Sequence, residues 1–281
     1  MPELAEVETV RRIMERVLTN HQIVSVEIPD DPIVLKKHPA QELESLLTGA
    51  TVKGVSRKGK YWWLVLENRP CLCGHLGMAG WIRELGAPTI RLKEHGEKPL
   101  DDENGRPRFL KMLLETNTGS KIALTDGRRL ARLWIADHPL QSGPISALGP
   151  DMYQEPYTAR ELFQLLSKRK APIKALLLDQ KLFAGVGNWV ADEVLYQAKI
   201  HPKRLANSIT LQESQLMVDA LASILQIAID CGADEHQFPP SWMFHARWGA
   251  GRGAQEINGK WIAREQVGGR TTAWVPDLQK M

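Results

Sequence analysis

The stretch LLDQKLFAGVGNWVADEVLYQAKIHP, Leu177 to Pro202, sets Gly185-Val186-Gly187-Asn188 between the apolar pair Leu182-Phe183 and a run of helical period, Trp189–Ala198. Glycines commonly end one helix and open a turn. Asn is a favoured residue at a helix start, so the spacing predicts tight turns followed by a helix with Asn188 as its N-cap. No strand precedes the glycines, which removes the βαβ context that a dinucleotide-binding loop needs. What the glycines do permit is close approach of backbone N–H groups to a phosphate at the helix start.

Working outward, helical periods recur over Thr158–Lys168, Ile173–Leu178 and Leu211–Cys231. The last forty or so residues are rich in glycine and aromatics, and Asn258-Gly259 is a strong hairpin signal. Toward the N-terminus the pattern changes. Ala5 to Leu18 carries Val7, Val10, Met14, Val17 and Leu18 at helical spacing, with Glu6, Glu8, Arg11, Arg12 and Glu15 on the other faces. Short apolar or alternating runs follow at Ile23–Ile28, Ala50–Val55, Tyr61–Leu66, Cys71–Leu76, Phe109–Leu114 and Lys121–Leu124, as in an antiparallel sandwich. The polar stretch His95–Arg108 reads as a surface loop. The expectation is a two-domain α+β protein: an N-terminal antiparallel β-sandwich with an opening helix over 2–137, a Pro/Gly-rich linker over 138–156, a helical domain over 157–239 and a hairpin unit over 240–281.

Composition narrows the class. The 281 residues are 43% apolar and 25% charged, the balance of a folded chain rather than a disordered one. A net charge of +3 permits a polyanionic partner without requiring one. No apolar run approaches the roughly 20 residues that span a bilayer, and the charged opening is unlike a secretory signal, so no membrane partner is expected. Cys71, Cys73 and Cys231 are too few for a disulfide scaffold.

The chain opens Met1-Pro2-Glu3. Pro2 suits the first turn of a helix, where its missing N–H costs nothing. It is also small enough for the initiator Met to be removed, exposing a secondary amine. A terminal amine has a reference pKa of about 7.7–8.0, against about 10.4 for lysine, and the helix dipole lowers it further. Such an amine attacking a sugar C1′ yields a cationic iminium, an electron sink for eliminating attached phosphates. Glu3 and Glu6 lie in the same helical turn, placed either to favour the dipole or to move protons beside the amine. The chemistry needs that nitrogen within bonding reach of a deoxyribose carbon, neither buried nor remote from the side chains that would clamp the DNA.

PELAEVETVRR (2–12), RKGKYWWLVL (57–66), HLGMAGWI (75–82), LTDGRRLARL (124–133) and the 26-residue stretch above, in that order, resemble the formamidopyrimidine-DNA glycosylases, within the superfamily that includes endonuclease VIII. The ending VGGRTTAWVPDLQKM (267–281) is similar to the plant-type members that carry a zincless finger. The resemblance implies a bifunctional DNA glycosylase and abasic-site lyase of base excision repair that excises oxidised purines. Pro2 would be the nucleophile, with Glu3, Glu6 and Lys60 beside it. His75, Asn188 and Arg270 would grip phosphates, and Met78, Arg128 and Leu130 would fill the gap left by the flipped nucleotide. Leu130 stands where the family commonly has Phe, and Ala5 where it has Pro. A loop around Arg247–Gly259 would cap the flipped base. The helical domain would be a helix–two-turns–helix module. Damaged double-stranded DNA is the implied partner, the chain acting as a monomer, in the cytoplasm or nucleoid of a bacterium or the nucleus or an organelle of a eukaryote. An oxidised-pyrimidine glycosylase and a non-catalytic damaged-DNA-binding protein remain as alternatives. No cofactor is expected. A closed zinc site needs four N or S ligands, and beyond Cys231 the chain has no cysteine and only His236 and His245. Trp248, Trp261 and Trp274 are expected to pack the finger instead.

Overall fold

The computed structural model describes residues 2–36, 38–88, 101–248 and 255–281. The expected base-capping loop therefore falls partly outside the described residues, at 249–254, as does the start of the polar loop, at 95–100.

The chain divides into two compact units, Met1–Ala147 with Gly232–Glu235, and Leu148–Cys231 with His236–Met281. The Pro/Gly-rich stretch 138–156 is shared between them and contributes buried Ile145 to the first and Met152 to the second.

The first unit opens with α1 (Leu4–Leu18), whose apolar stripe Val7, Val10, Met14, Val17 and Leu18 is buried. Two antiparallel four-stranded sheets follow. One has the order β1 (Ile23–Glu27), β6 (Leu110–Thr116), β7 (Lys121–Thr125), β5 (Trp81–Glu84); the other β2 (Val52–Lys58), β3 (Tyr61–Leu66), β4 (Cys71–His75), β8 (Arg132–Ala136). Strict alternation of burial along β6 follows from its period-two sequence. Ile23, Met112, Leu114 and Leu124 from the first sheet, Val52, Trp62, Leu64 and Leu72 from the second, and the α1 stripe form one apolar core. That is the expected sandwich. Two helices, α2 (Pro32–Leu35) and α3 (Ala40–Leu47), lie in a region the periodicity left unassigned. Glu6 and Glu8, expected on the outward faces of α1, are instead buried at 4% exposure each.

The second unit holds α4 (Ala159–Ser167), α5 (Ile173–Leu177), α6 (Asn188–Gln197) and α7 (Leu211–Asp230). Capping boxes start α4 (Thr158 with Glu161) and α7 (Thr210 with Glu213). Two hairpins complete it rather than one: β9 (Glu256–Ile257) with β10 (Lys260–Trp261), turned by Asn258-Gly259, and β11 (Ala263–Val267) with β12 (Arg270–Trp274), turned by Gly268-Gly269. The packing of this segment departs from expectation. Its core is mainly aliphatic: Met243, Ala246, Ile257, Ile262, Ala273 and Val275. Trp261 is 55% exposed, while Trp274 sits edge-on to His201 at 4.1 Å and Trp248 edge-on to Phe244 at 5.9 Å, so of the three tryptophans expected to pack the finger these two make ring contacts. Among the described residues no group of three or more His, Cys, Asp or Glu side chains is placed to hold a metal ion, and no helix is long and apolar enough to cross a membrane.

Candidate functional site

At the start of α1, Glu3 is the N-cap, and its carboxylate accepts the Glu6 N–H while Glu3 N–H donates to Glu6 Oε2 at 3.0 Å. The reciprocal pair satisfies two helix-end donors, so Glu6 has a structural task in holding the helix start. Glu3 and Glu6 are buried, and so, against the expectation of an accessible nitrogen, is Pro2. In the chain with Met1 attached the Pro2 nitrogen is an amide.

Lys60 sits in the two-residue turn Gly59-Lys60 between β2 and β3, where Gly59 takes φ +58°. A lysine in a hairpin turn is ordinarily solvated; Lys60 is only 5% exposed. Arg57 explains how the turn is held. Its Nε donates to Glu8 Oε2 at 3.0 Å and its Nη1 to the Gly59 carbonyl at 3.0 Å, fastening the turn to α1. Glu8 is further gripped by Arg11 and Arg12. Burial pushes the Glu8 carboxyl up, but the Arg11 and Arg57 guanidiniums prevail and hold it below the usual range.

His75 closes β4, opposite Tyr61 on one side and Arg132 on the other. Its Nδ1 accepts the Gly77 N–H at 3.0 Å, which leaves Nε2 carrying the proton. Burial, and then the nearby charges of Lys60, Arg132 and Lys36, bring its pKa down to about 4. A neutral ring with a fixed donor is thus set beside Lys60.

Met78, Arg128 and Leu130 come from two loops pressed together. Gly77 has φ +66°, and a Cβ there would lie 2.4 Å from the Leu130 carbonyl group. Only glycine allows that approach. The second loop is shaped by Asp126, fully buried, whose carboxylate accepts N–H bonds from Arg128 at 2.9 Å and from Leu130 and Ala131 at 2.6 Å each. Arg128 emerges exposed, while Met78 and Leu130 are half-buried. Nothing in the sequence patterning singled out Asp126; its clue is the Asp-Gly turn signal preceding two arginines.

In the second unit the N-cap expectation fails by one position. Gly187, with φ −128° and ψ −157°, is the N-cap of α6, and Asn188 is the first helical residue. Its side chain reaches away from the helix, Nδ2 donating to the Thr271 carbonyl at 3.0 Å. Asn188 is thereby tied to the hairpin whose turn presents exposed Arg270. Beneath lies a network that sequence reasoning missed. Lys174, fully buried, donates to Asp192 Oδ1 at 2.5 Å and Thr272 Oγ1 at 2.6 Å, and Arg247 Nη2 donates to Asp192 Oδ2 at 3.1 Å. Its only sequence clue is a lysine inside the apolar run Ile173–Leu178.

The sequence model of the formamidopyrimidine-DNA glycosylase N-terminal domain matches residues 1–133, and that of the same family's H2TH domain matches 148–239. A formamidopyrimidine-DNA glycosylase of Arabidopsis thaliana is 38% identical over 281 residues, covering all of this chain and 71% of its own. One from Paracoccus denitrificans is 36% identical over 241 residues, 83% of this chain and 79% of its own. Among solved structures, the Lactococcus lactis formamidopyrimidine-DNA glycosylase non-covalently bound to DNA with an abasic site superposes with a TM-score of 0.79 at 28% identity, covering 99% of this chain and 100% of that one. MutM in complex with DNA containing carbocyclic 8-oxo-G gives 0.80 at 28% identity, with both chains fully covered.

Proposed function

This chain belongs to the formamidopyrimidine-DNA glycosylase family, and from that premise we propose that it excises oxidised purines, formamidopyrimidines and 8-oxoguanine, from double-stranded DNA and cuts the strand at the resulting abasic sugar. The observation that supports the reading is that Pro2, Glu3 and Lys60 are all buried in one unit, in which Arg57 ties the Lys60 turn to the helix that Glu3 caps and His75 offers a neutral donor. Relatives of this fold bind DNA with an abasic site, carbocyclic 8-oxo-G or FAPY-dG, which supports both the partner and the substrate class.

The chemistry begins with removal of Met1, which turns the Pro2 amide into a secondary amine. Because Pro2 is buried in the chain that carries Met1, that removal also has to uncover its nitrogen for C1′ to come within reach. The nitrogen attacks C1′, the bond to the base breaks, and the departing base carries away the bonding electron pair and takes up a proton. Loss of the amine proton leaves a C1′ iminium after the sugar ring opens, with Glu3 moving protons at the ring oxygen. The iminium acidifies C2′, so abstraction of a proton there expels the 3′-phosphate, and a second elimination expels the 5′-phosphate. Lys60 and His75 Nε2–H hold phosphates beside the lesion, and Asn188 and Arg270 hold the backbone from the second unit. Met78, Arg128 and Leu130 occupy the gap, offsetting the few kcal/mol that unstacking costs. Acting on DNA places the enzyme in the nucleoid of a bacterial cell or in a DNA-containing compartment of a eukaryotic one.

Borohydride is expected to trap a covalent adduct between the Met1-processed protein and duplexes carrying 8-oxoguanine or formamidopyrimidine. A protein blocked by an N-terminal extension is expected to give none; equal trapping by the blocked protein would overturn the amine assignment. Cleavage confined to thymine glycol duplexes would move the substrate to oxidised pyrimidines.

A further inference from the structure

Phe109 is 53% exposed, yet its backbone has φ +58°. Left-handed backbone is unfavourable for a bulky side chain; of the other seven non-glycine residues described with positive φ, three are Asn (Asn20, Asn68, Asn258) and the rest are Lys36, Arg129, Lys199 and Ala233, so Phe109 is the one aromatic or β-branched side chain among them. None of the other exposed large apolar residues described, among them Val24, Ile33 and Leu140, pairs exposure with positive φ. An exposed ring on a left-handed backbone buries little apolar surface in the free protein, and an observed outlier of this kind points toward function.

Its surroundings say which function. Phe109 directly precedes β6, and its carbonyl accepts the Asp126 N–H at 2.9 Å. Asp126 is the residue whose carboxylate shapes the loop carrying Arg128 and Leu130. The Phe109 ring lies over Gly127, with ring atoms 3.3–3.5 Å from where a Cβ would stand. The Arg108 guanidinium sits 5.4 Å from the ring centroid. The ring is therefore held against Gly127, the residue before Arg128, with the Arg108 guanidinium beside it, a cation that attracts a phosphodiester chain.

We propose that Phe109 is a DNA-stacking residue, its ring taking the face of a base bordering the gap that Met78, Arg128 and Leu130 fill. This rests on the gap-filling role proposed above for those three side chains. Aromatic rings stack on any base, so the contact reads an open stack rather than a sequence.

The test is binding of the full chain, as Phe109→Ala, Phe109→Gly and Phe109→Trp, to a duplex with a tetrahydrofuran abasic analogue and to its undamaged counterpart. The Ala and Gly variants are expected to lose about tenfold in affinity for the abasic duplex and less than twofold for the undamaged one. The Trp variant is expected to bind the abasic duplex within about twofold of the parent protein. The salt dependence of binding should be unchanged, since no charge is removed. Phe109→Gly should unfold at the parent temperature or above, because glycine tolerates this backbone. Unaltered abasic-duplex affinity in the Ala and Gly variants, or a lowered unfolding temperature for Phe109→Gly, overturns the proposal. A parent protein that neither prefers the abasic duplex nor traps with borohydride removes the proposed function, and the Phe109 assignment with it.

Discussion

Arg57 Nε meets Glu8 Oε2 at 3.0 Å with both side chains shielded, their exposures 0% and 5%. The pair joins the strand before Lys60 to the helix that begins beside Pro2 and Glu3. Glu8→Ala takes the carboxylate away from a buried guanidinium that keeps only its other bonds, such as that to the Gly59 carbonyl, and is expected to lower unfolding free energy by about 3–5 kcal/mol. Arg57→Ala leaves Glu8 with Arg11 and Arg12 and should cost less, about 1–3 kcal/mol. Arg57→Lys keeps the charge but not the fork that reaches Glu8 and the Gly59 carbonyl together. It should retain most stability and slow single-turnover strand cleavage as Lys60 loses its fixed position. Denaturant titration and quenched-flow cleavage on the same variants check both halves. Because Glu8 is held below the usual carboxyl range, its contribution is present above the unfolded pKa and is lost as pH falls through the folded one.

His75 gives a second pH test. Its pKa near 4 lies below the ordinary 6.5, so between those values the unfolded chain binds a proton that the folded chain does not. The stability tied to this residue is complete above pH 6.5 and is lost as pH falls toward 4. Nitrogen-15 spectra should show a neutral ring protonated on Nε2 through the neutral range, titrating near 4. A midpoint near 6.5 would contradict the neutral-donor assignment.

Much of this was legible in the sequence, for identifiable reasons. The stripe Val7, Val10, Met14 and Val17 and the alternation along 110–116 reflect one buried face each, which is what periodicity reports. Short α3 buries only Leu43 and Leu47, too little for a period to stand out. Asn188 was displaced by one residue because its amide is engaged by Thr271, 83 positions away, a partner no local signal reveals. The same holds for Lys174 with Asp192 and for the burial of Lys60: each depends on contacts made only once the chain is folded.

The paired loops around Gly77 and Asp126 yield a prediction in which stability and function separate. Asp126→Asn keeps one acceptor oxygen but turns an NH2 toward either the Arg128 N–H or the Leu130 and Ala131 N–H groups, and should cost about 1–3 kcal/mol. Gly77→Ala meets both a positive φ and the Leu130 carbonyl group at 2.4 Å, so one loop has to move away from the other. The expected result is a folded protein in which the loop carrying Met78 no longer lies against the Leu130 backbone. A 2-aminopurine placed next to an abasic analogue should then report slower and smaller unstacking than with the parent protein.

The C-terminal hairpins give a test of what holds them together. Their core is built on fully buried Ile262 and Val275 with Met243 and Ala273. Ile262→Ala is expected to cost about 2–5 kcal/mol, the usual penalty for such a truncation in a core that cannot collapse. The lower end applies if the segment opens locally before the rest of the unit. Exhaustive chelation should leave the unfolding temperature and strand cleavage unchanged, since apolar packing contributes the same stability with or without a chelator. Hydrogen exchange in Ile262→Ala should rise first across 256–275 and only later in α7. Uniform loss of protection through α7 would mean the hairpins and helices unfold as one unit, and a chelator-induced drop in unfolding temperature would mean that aliphatic packing is not what holds this segment.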